Sequence, residues 1–127
     1  MTVATLFVCS LCRFSATEKS RDGLSGGEYF ITQLRQELAT QNLQDAIQLH
    51  PVRCMAACSH PCNVTLAAPN RLTFILSGLP TTESAAELAK FCQQYTTYSG
   101  GRVPFKERSA TIRAASAFIL PALPSSN

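Results

Sequence analysis

Charged residues are scarce in this sequence, long apolar runs are absent, and tryptophan does not occur. Only 15% of the residues are charged, whereas 46% are apolar, a balance that argues against a disordered chain. No apolar run reaches the roughly 18 residues that a membrane-spanning helix needs. The 127 residues suit one domain with a single hydrophobic core.

Basic residues are missing from the first twelve positions, MTVATLFVCSLC. A secretory signal peptide begins with a basic region and ends in small residues at its cleavage site, and the segment before Arg13 has neither feature. We therefore interpret this segment as a buried strand and expect a cytoplasmic protein whose thiols are reduced. The tripeptide NVT at Asn63 is then a chance match to the glycosylation motif.

The order of the predicted elements indicates an α/β (α+β) protein. Ser25 and Glu28 have the spacing of a capping box, which predicts where the first helix begins. A strand, this helix and a second strand imply a parallel pair with a right-handed crossover, and two later strands are close enough to form an antiparallel hairpin. The fold that we predict is thioredoxin-like: a four-stranded mixed sheet with flanking helices and a C-terminal extension. The predicted strands are Thr2–Val8, Ala46–Arg53, 63–68 and 72–76, a loop covers 9–24, and the helices run from Ser25 to about Thr40 and from Thr81 or Thr82 to about Tyr98.

The C-terminal extension, residues 100–127, carries all of the net charge of +3, because residues 1–99 hold seven basic and seven acidic residues. We assign 1–99 to the thioredoxin-like domain and interpret 100–127 as part of the same domain or as an arm for a second copy or a partner. Ile112–Leu120 is expected to add a short helix or an arm, and PALPSSN is expected to fray. An acidic partner would suit the charge, but no aromatic residues are interleaved for base stacking, so nucleic acid is not expected. The charged residues of the extension are Arg102, Lys106, Arg108, Arg113 and Glu107.

Five of the six cysteines occur in two short clusters. Cys9 and Cys12 follow the first predicted strand, and Cys54, Cys58 and Cys62 follow the second. The two strands are predicted to be parallel neighbours, so their carboxyl ends meet at one edge and the clusters converge. Four thiolates favour zinc or an iron–sulfur cluster.

The remaining cysteine, Cys92, lies on the apolar stripe of the last helix and is expected to act as a small hydrophobic residue.

Residues beside the clusters could tune such a site. Ser10, Ser59 and the loop amides could donate hydrogen bonds to sulfur, and Arg13 and Arg53 could offset the thiolate charge or point to solvent. His60 is expected to be a loop residue. His50 lies in the second strand without an evident partner. No acid–base pair and no phosphate-binding loop is evident, since SGG at 25–27 is too short, so we expect no substrate turnover by the protein alone.

The stretch VRCMAACSHPCNVTLAAPNRLTFIL resembles the second half of a thioredoxin-like 2Fe-2S ferredoxin. Cys54 and Cys58 match its CxxxC pair, Pro61 matches its turn proline and Cys9 matches its first ligand. The chain is also similar to a family of small bacterial proteins of unknown function, described as predicted metal-binding proteins. That similarity involves LFVCSLCR, RCMAACSHPC, LTFILSGL and GGRVPFKER and extends over most of the chain.

The resemblance implies an iron–sulfur protein for electron transfer or redox sensing, with a redox partner protein and a homodimeric assembly. With Cys12 added from the CxxC spacing, the expected 2Fe-2S ligands are Cys9, Cys12, Cys54 and Cys58. Only two residues separate Cys9 from Cys12, whereas the ferredoxins have a much longer spacing, and Cys62 is an additional thiol. Cys62 could therefore replace Cys12 as a metal ligand.

Strand alternation gives an expectation for Cys62. If Asn63 and Thr65 face solvent, then Val64 and Cys62 face the core. Cys62 would then lie beside the metal without binding it.

Two alternatives stay open. The protein could be a thioredoxin-like thiol–disulfide oxidoreductase that uses Cys9-x-x-Cys12, with Pro61 packed against the pair. Against this, the segment RFSATEKSRDG separates the pair from the helix that would lower the thiol pKa. Alternatively, the protein could be a zinc-binding or metal-handling accessory protein, because zinc needs only four tetrahedral ligands.

Overall fold

The computed structural model describes residues 3–10, 20–21, 23–53, 63–80 and 84–121. Within these ranges, no helix is both long and apolar enough to cross a membrane. In chain order the elements are β1 (Ala4–Cys9), β2 (Ser20–Arg21), β3 (Leu24–Ser25), α1 (Gly26–Thr40), β4 (Ile47–Val52), β5 (Val64–Ala67), β6 (Thr73–Leu76), α2 (Ala85–Thr97), α3 (Ala110–Ala115) and β7 (Ser116–Leu120), with 3-10 turns at Ser99–Gly101 and Phe105–Glu107.

The main sheet has five strands in the order β4-β1-β5-β6-β7. β1 and β4 are parallel, and every other neighbouring pair is antiparallel. The predicted mixed sheet with flanking helices is confirmed. The number of strands differs, because the segment predicted as a helix or an arm divides into α3 and β7, and β7 pairs with β6. The predicted loop also contains a small separate ribbon of β2 and β3.

Helix α1 begins with the capping box that the sequence predicts. The Ser25 hydroxyl accepts a hydrogen bond from the Glu28 N–H at 3.0 Å, and Glu28 Oε1 accepts one from the Ser25 N–H at 2.8 Å. These bonds satisfy donors that have no partner within the helix. Phe30, Ile31 and Leu34 are buried along one face, so α1 packs against the core from its first turns onward.

Helix α2 packs beside α1 and against the sheet. Its N-cap is Ser84, whose hydroxyl donates to the Pro80 carbonyl and makes no cap hydrogen bond to the helix. The caps predicted at Thr81 and Thr82 lie outside the described residues. The Phe74 ring meets the rings of Phe91 and Tyr95 edge-on, at centroid distances of 5.0 and 6.1 Å. The aromatic contacts join α2 to β6 at the centre of the core.

The turn between β5 and β6 is fastened to the carboxyl end of α2. Asn70 has a φ of 61° in this turn, which agrees with the predicted turn at PN. The next residue, Arg71, donates from Nη1 to the carbonyls of Tyr95 and Tyr98 at 2.6 and 2.8 Å. Carbonyls at a helix C-terminus lack partners within the helix and carry partial negative charge. The Arg71 guanidinium supplies both hydrogen-bond donors and a positive charge.

Two features near the site differ from what the sequence indicates. The condition that Asn63 faces solvent is not met, since Asn63 is only 2% exposed and its side-chain oxygen accepts a hydrogen bond of 2.6 Å from the Ser77 hydroxyl. Its burial also agrees with a chance match to the glycosylation motif. His50 does have a partner, since its ring meets Phe7 edge-on at 5.8 Å across the β1–β4 pair.

Candidate functional site

Cys9 lies where three strands come together. It is the last residue of β1 and stands opposite Val52 in β4. Its N–H donates to the Asn63 carbonyl at 3.1 Å, just before β5, and its thiol donates to the Arg53 carbonyl at 3.7 Å, just after β4. Because all three backbones surround it, Cys9 is only 1% exposed.

The predicted meeting of the two strand ends is confirmed for the described backbone. β1 and β4 are parallel, and their register runs from Ala4 opposite Ile47 to Cys9 opposite Val52. Their carboxyl ends therefore lie side by side at the same end of the sheet. The other clustered cysteines, Cys12, Cys54, Cys58 and Cys62, lie outside the described residues, as do Arg13, Ser59, His60 and Pro61. The convergence is thus seen for Cys9 and for the backbone that leads to the other four thiols.

Ser10 joins β1 to β4, and this differs from its expected role as a donor to sulfur. Its N–H and its hydroxyl both donate to the Val52 carbonyl, at 2.7 and 3.0 Å. Both donors are therefore committed to the backbone of the neighbouring strand. The Arg53 side chain is exposed, and its carbonyl is the group that contacts Cys9.

Helix α1 begins directly against the Cys9–Ser10 peptide. A Cβ atom at Gly27 would overlap the Cys9 carbonyl oxygen and lie 2.7 Å from the Ser10 carbonyl carbon. The Ser25 hydroxyl also donates to the Ser10 carbonyl. Only glycine permits so close an approach, so Gly27 positions the end of β1. The pair of glycines at the helix start is the only sequence signal that could have found it.

The position of α1 changes the electrostatics where β1 ends. The N-terminus of a helix carries unsatisfied N–H groups and a partial positive charge, which stabilise negative charge nearby. The sequence separates Cys9 from the helix by a long segment, but the fold returns the helix N-terminus to the Cys9–Ser10 peptide. The helix N-terminus therefore lies against the backbone of Cys9 and Ser10, whereas the Cys9 thiol donates to the Arg53 carbonyl.

Cys92 is the other cysteine within the described residues. It is fully buried on the apolar face of α2, as the stripe predicted, and burial raises its pKa to about 12. Among the described residues, no group of three or more His, Cys, Asp or Glu side chains could hold a metal ion. Of the five clustered cysteines only Cys9 is within those ranges, so any thiolate set has to draw on residues beyond them.

The basic extension is built into the fold through its guanidinium groups. The Arg108 Cζ atom lies 5.1 Å from the Phe74 ring centre, and its Nε and Nη2 donate to the Val103 carbonyl at 3.1 and 2.9 Å. Burial lowers the pKa of Arg108. Arg113 lies 5.5 Å from the exposed Phe105 ring. These contacts are cation–π interactions within the chain.

Comparison with known proteins gives a family without an assigned activity. No curated protein matches the chain. The family model described as "Protein of unknown function (DUF1636)" matches residues 6–122, which is most of the sequence. The chain therefore belongs to the DUF1636 family.

Proposed function

We propose that this protein holds a thiolate-ligated metal centre where β1 and β4 end, and that the centre is a 2Fe-2S cluster for electron transfer or redox sensing. The observation that carries the proposal is the position of Cys9. Its buried thiol contacts the carbonyl of Arg53, the residue before Cys54, and its N–H bonds to the carbonyl of Asn63, the residue after Cys62.

Chain connectivity supports the gathering of further thiols around Cys9. Consecutive Cα atoms across a trans peptide are about 3.8 Å apart. The backbone at Arg53 and at Asn63 therefore limits how far Cys54 and Cys62 can lie from Cys9, and Cys12 is only three residues further along the chain. The proposed ligands are Cys9, Cys12, Cys54 and Cys58.

Cys62 is the alternative to Cys12. Strand alternation places Cys62 beside the metal without binding it only if Asn63 faces solvent. Asn63 is buried. The hydrogen bond between the Cys9 N–H and the Asn63 carbonyl supports Cys62 as a ligand on the same grounds that support Cys54.

The environment of Cys9 suits a metal ligand. Thiolates favour iron–sulfur clusters and zinc, and burial of Cys9 keeps water from its sulfur. A metal requires the thiolate, so binding would release the proton that the Cys9 thiol donates to the Arg53 carbonyl. A bound 2Fe-2S cluster would supply a redox centre whose potential depends on hydrogen bonds and solvent exposure.

The test is anaerobic purification followed by absorption spectroscopy and analysis of iron, acid-labile sulfide and zinc. We expect a brown protein with iron and sulfide in equal amounts, a Cys9→Ser variant without them, and a matched Cys92→Ser variant that keeps them. Zinc without iron or sulfide would support the metal-handling alternative. A wild-type protein with neither metal would contradict the proposal.

A thiol–disulfide oxidoreductase is the second candidate, because the α1 N-terminus at the Cys9–Ser10 peptide supplies the positive end that such enzymes use to activate a thiol. The burial of Cys9 argues against it, since an attacking thiol has to be reached by its substrate. Alkylation of the metal-free, reduced protein separates the two functions. Rapid native-state labelling of Cys9 would favour the oxidoreductase, and slow labelling the metal ligand.

A further inference from the structure

The two edges of the five-stranded sheet differ in how they are protected. β4 forms one edge and β7 the other. β4 contains Pro51 and exposes the polar side chains of Gln48 and His50. Proline and polar residues are common devices that keep an edge strand from pairing with another chain. The sequence of β7, SAFIL, has neither proline nor charge.

β7 exposes apolar side chains on both faces of the sheet. Phe118, Ile119 and Leu120 are 64%, 43% and 46% exposed. Phe118 stands opposite Ile75 and Ile119 stands opposite Phe74, and successive side chains of a strand point to opposite faces. Within the described ranges, no strand pairs with the outer side of β7. An uncharged strand with an open edge and two apolar faces is a template for a further strand.

The segment that follows β7 is poorly suited to fold back onto it. Pro121 comes directly after the strand and Pro124 three residues later. Proline has no N–H to donate to a strand ladder. A strand formed by this segment and paired with β7 would therefore lack two N–H donors.

We propose that β7 pairs with β7 of a second copy of this chain, antiparallel across a two-fold axis. A symmetric pair requires a self-complementary strand, and β7 meets this requirement because it places apolar residues against apolar residues without opposing like charges. The basic residue that precedes β7 in the sequence, Arg113, lies in α3 and not in the strand. The product is a continuous sheet through both copies, and it does not depend on the proposed metal centre.

The test is sedimentation velocity over a range of concentrations in reducing buffer, so that disulfides between copies do not contribute. We expect a concentration-dependent dimer for the wild type. Phe118→Lys and Ile119→Lys should each weaken it by at least about tenfold, because each places a charge in both copies of the uncharged strand and apolar burial is lost. The matched control is Phe105→Lys, since Phe105 is also 64% exposed but lies outside the sheet, and it should leave the dimer intact.

Hydrogen exchange on the wild type gives a second measurement that needs no variant. Amides of residues 116–120 should become more protected as the protein concentration rises. A wild type that stays monomeric at all concentrations, a dimer that survives both lysine variants, or β7 protection that is independent of concentration would each overturn the proposal. The last outcome would mean that another part of the same chain covers the strand.

Discussion

At the scale of single residues, the candidate site depends on a position that carries no functional group. Gly27 allows the first turn of α1 to lie against the backbone of Cys9 and Ser10. The chemistry of Cys9 makes it predictable from the sequence, whereas Gly27 is not, because a close approach between distant segments is a tertiary property. Ser10 is likewise expected to donate to sulfur, whereas the Val52 carbonyl accepts from both of its donors.

Gly27→Ala should lower the free energy of unfolding by at least about 2 kcal/mol, because the added Cβ overlaps backbone that can move only with β1. Urea denaturation measures this. Gly78→Ala is the matched control: it has a φ of +77° but open space around it, and it should cost about 1 kcal/mol from the left-handed backbone alone. Equal costs would show that α1 can shift away from β1 freely.

Cys92 gives a prediction for alkaline pH. Its pKa rises from an ordinary 9.0 to about 12 in the folded protein, so between these values the unfolded chain has lost a proton that the folded protein keeps. The stability of the protein should therefore fall as pH rises through this window, with a slope approaching about 1.4 kcal/mol per pH unit from this group. Burial also raises the Tyr95 pKa, from 10.0 to about 12, and acts in the same direction. Unfolding midpoints across the window should fall less steeply in Cys92→Ala, and an unchanged slope would contradict the assignment.

At the scale of elements, the sequence predicts most of what local rules govern. The capping box of α1, the parallel β1–β4 pair and the β5–β6 hairpin follow from cap spacing, periodicity and turn residues. β7 does not follow in the same way, because its partner β6 is about 40 residues away in the sequence and its pairing is a non-local choice. The same holds for the site: strand order predicts where Cys9 lies, while the sequence segments that contain the other clustered thiols have no periodic pattern.

Arg71 should contribute strongly to stability, because it attaches the β5–β6 hairpin to α2. Arg71→Met keeps most of the side-chain bulk and removes the three hydrogen bonds to carbonyls at the end of α2, so we expect a loss of about 2 kcal/mol in the free energy of unfolding. Arg35→Met on α1 is the control, because Arg35 is exposed and such changes usually cost below about 0.5 kcal/mol. Thermal or urea unfolding of the two variants makes the comparison, and equal losses would contradict the role of Arg71.

At the scale of the whole molecule, the C-terminal extension contributes to the core. Val103 and Ile112, both in the extension, are buried in the hydrophobic core. The Ser77 N–H also donates to the Ala115 carbonyl at 2.8 Å. Ile112→Ala should therefore cost about 2–4 kcal/mol of stability, as in other cores, whereas the neighbouring Thr111→Ala should stay within about 0.5 kcal/mol. If chemical denaturation finds no cost for Ile112→Ala, the extension is an arm rather than part of the domain.

The location of Cys9 on an interior strand has a further consequence, for how a bound group would leave. β1 has β4 on one side and β5 on the other, and hydrogen-bonded strands of this kind usually open only when the whole protein unfolds, whereas exposed segments open locally at much lower free energy. Cys9 is thus a fixed anchor on the timescale of ordinary fluctuations. If the proposed centre forms, exchange of the bound group should therefore begin at ligands other than Cys9, and the lifetime of the complex would not be set by the strand that holds Cys9.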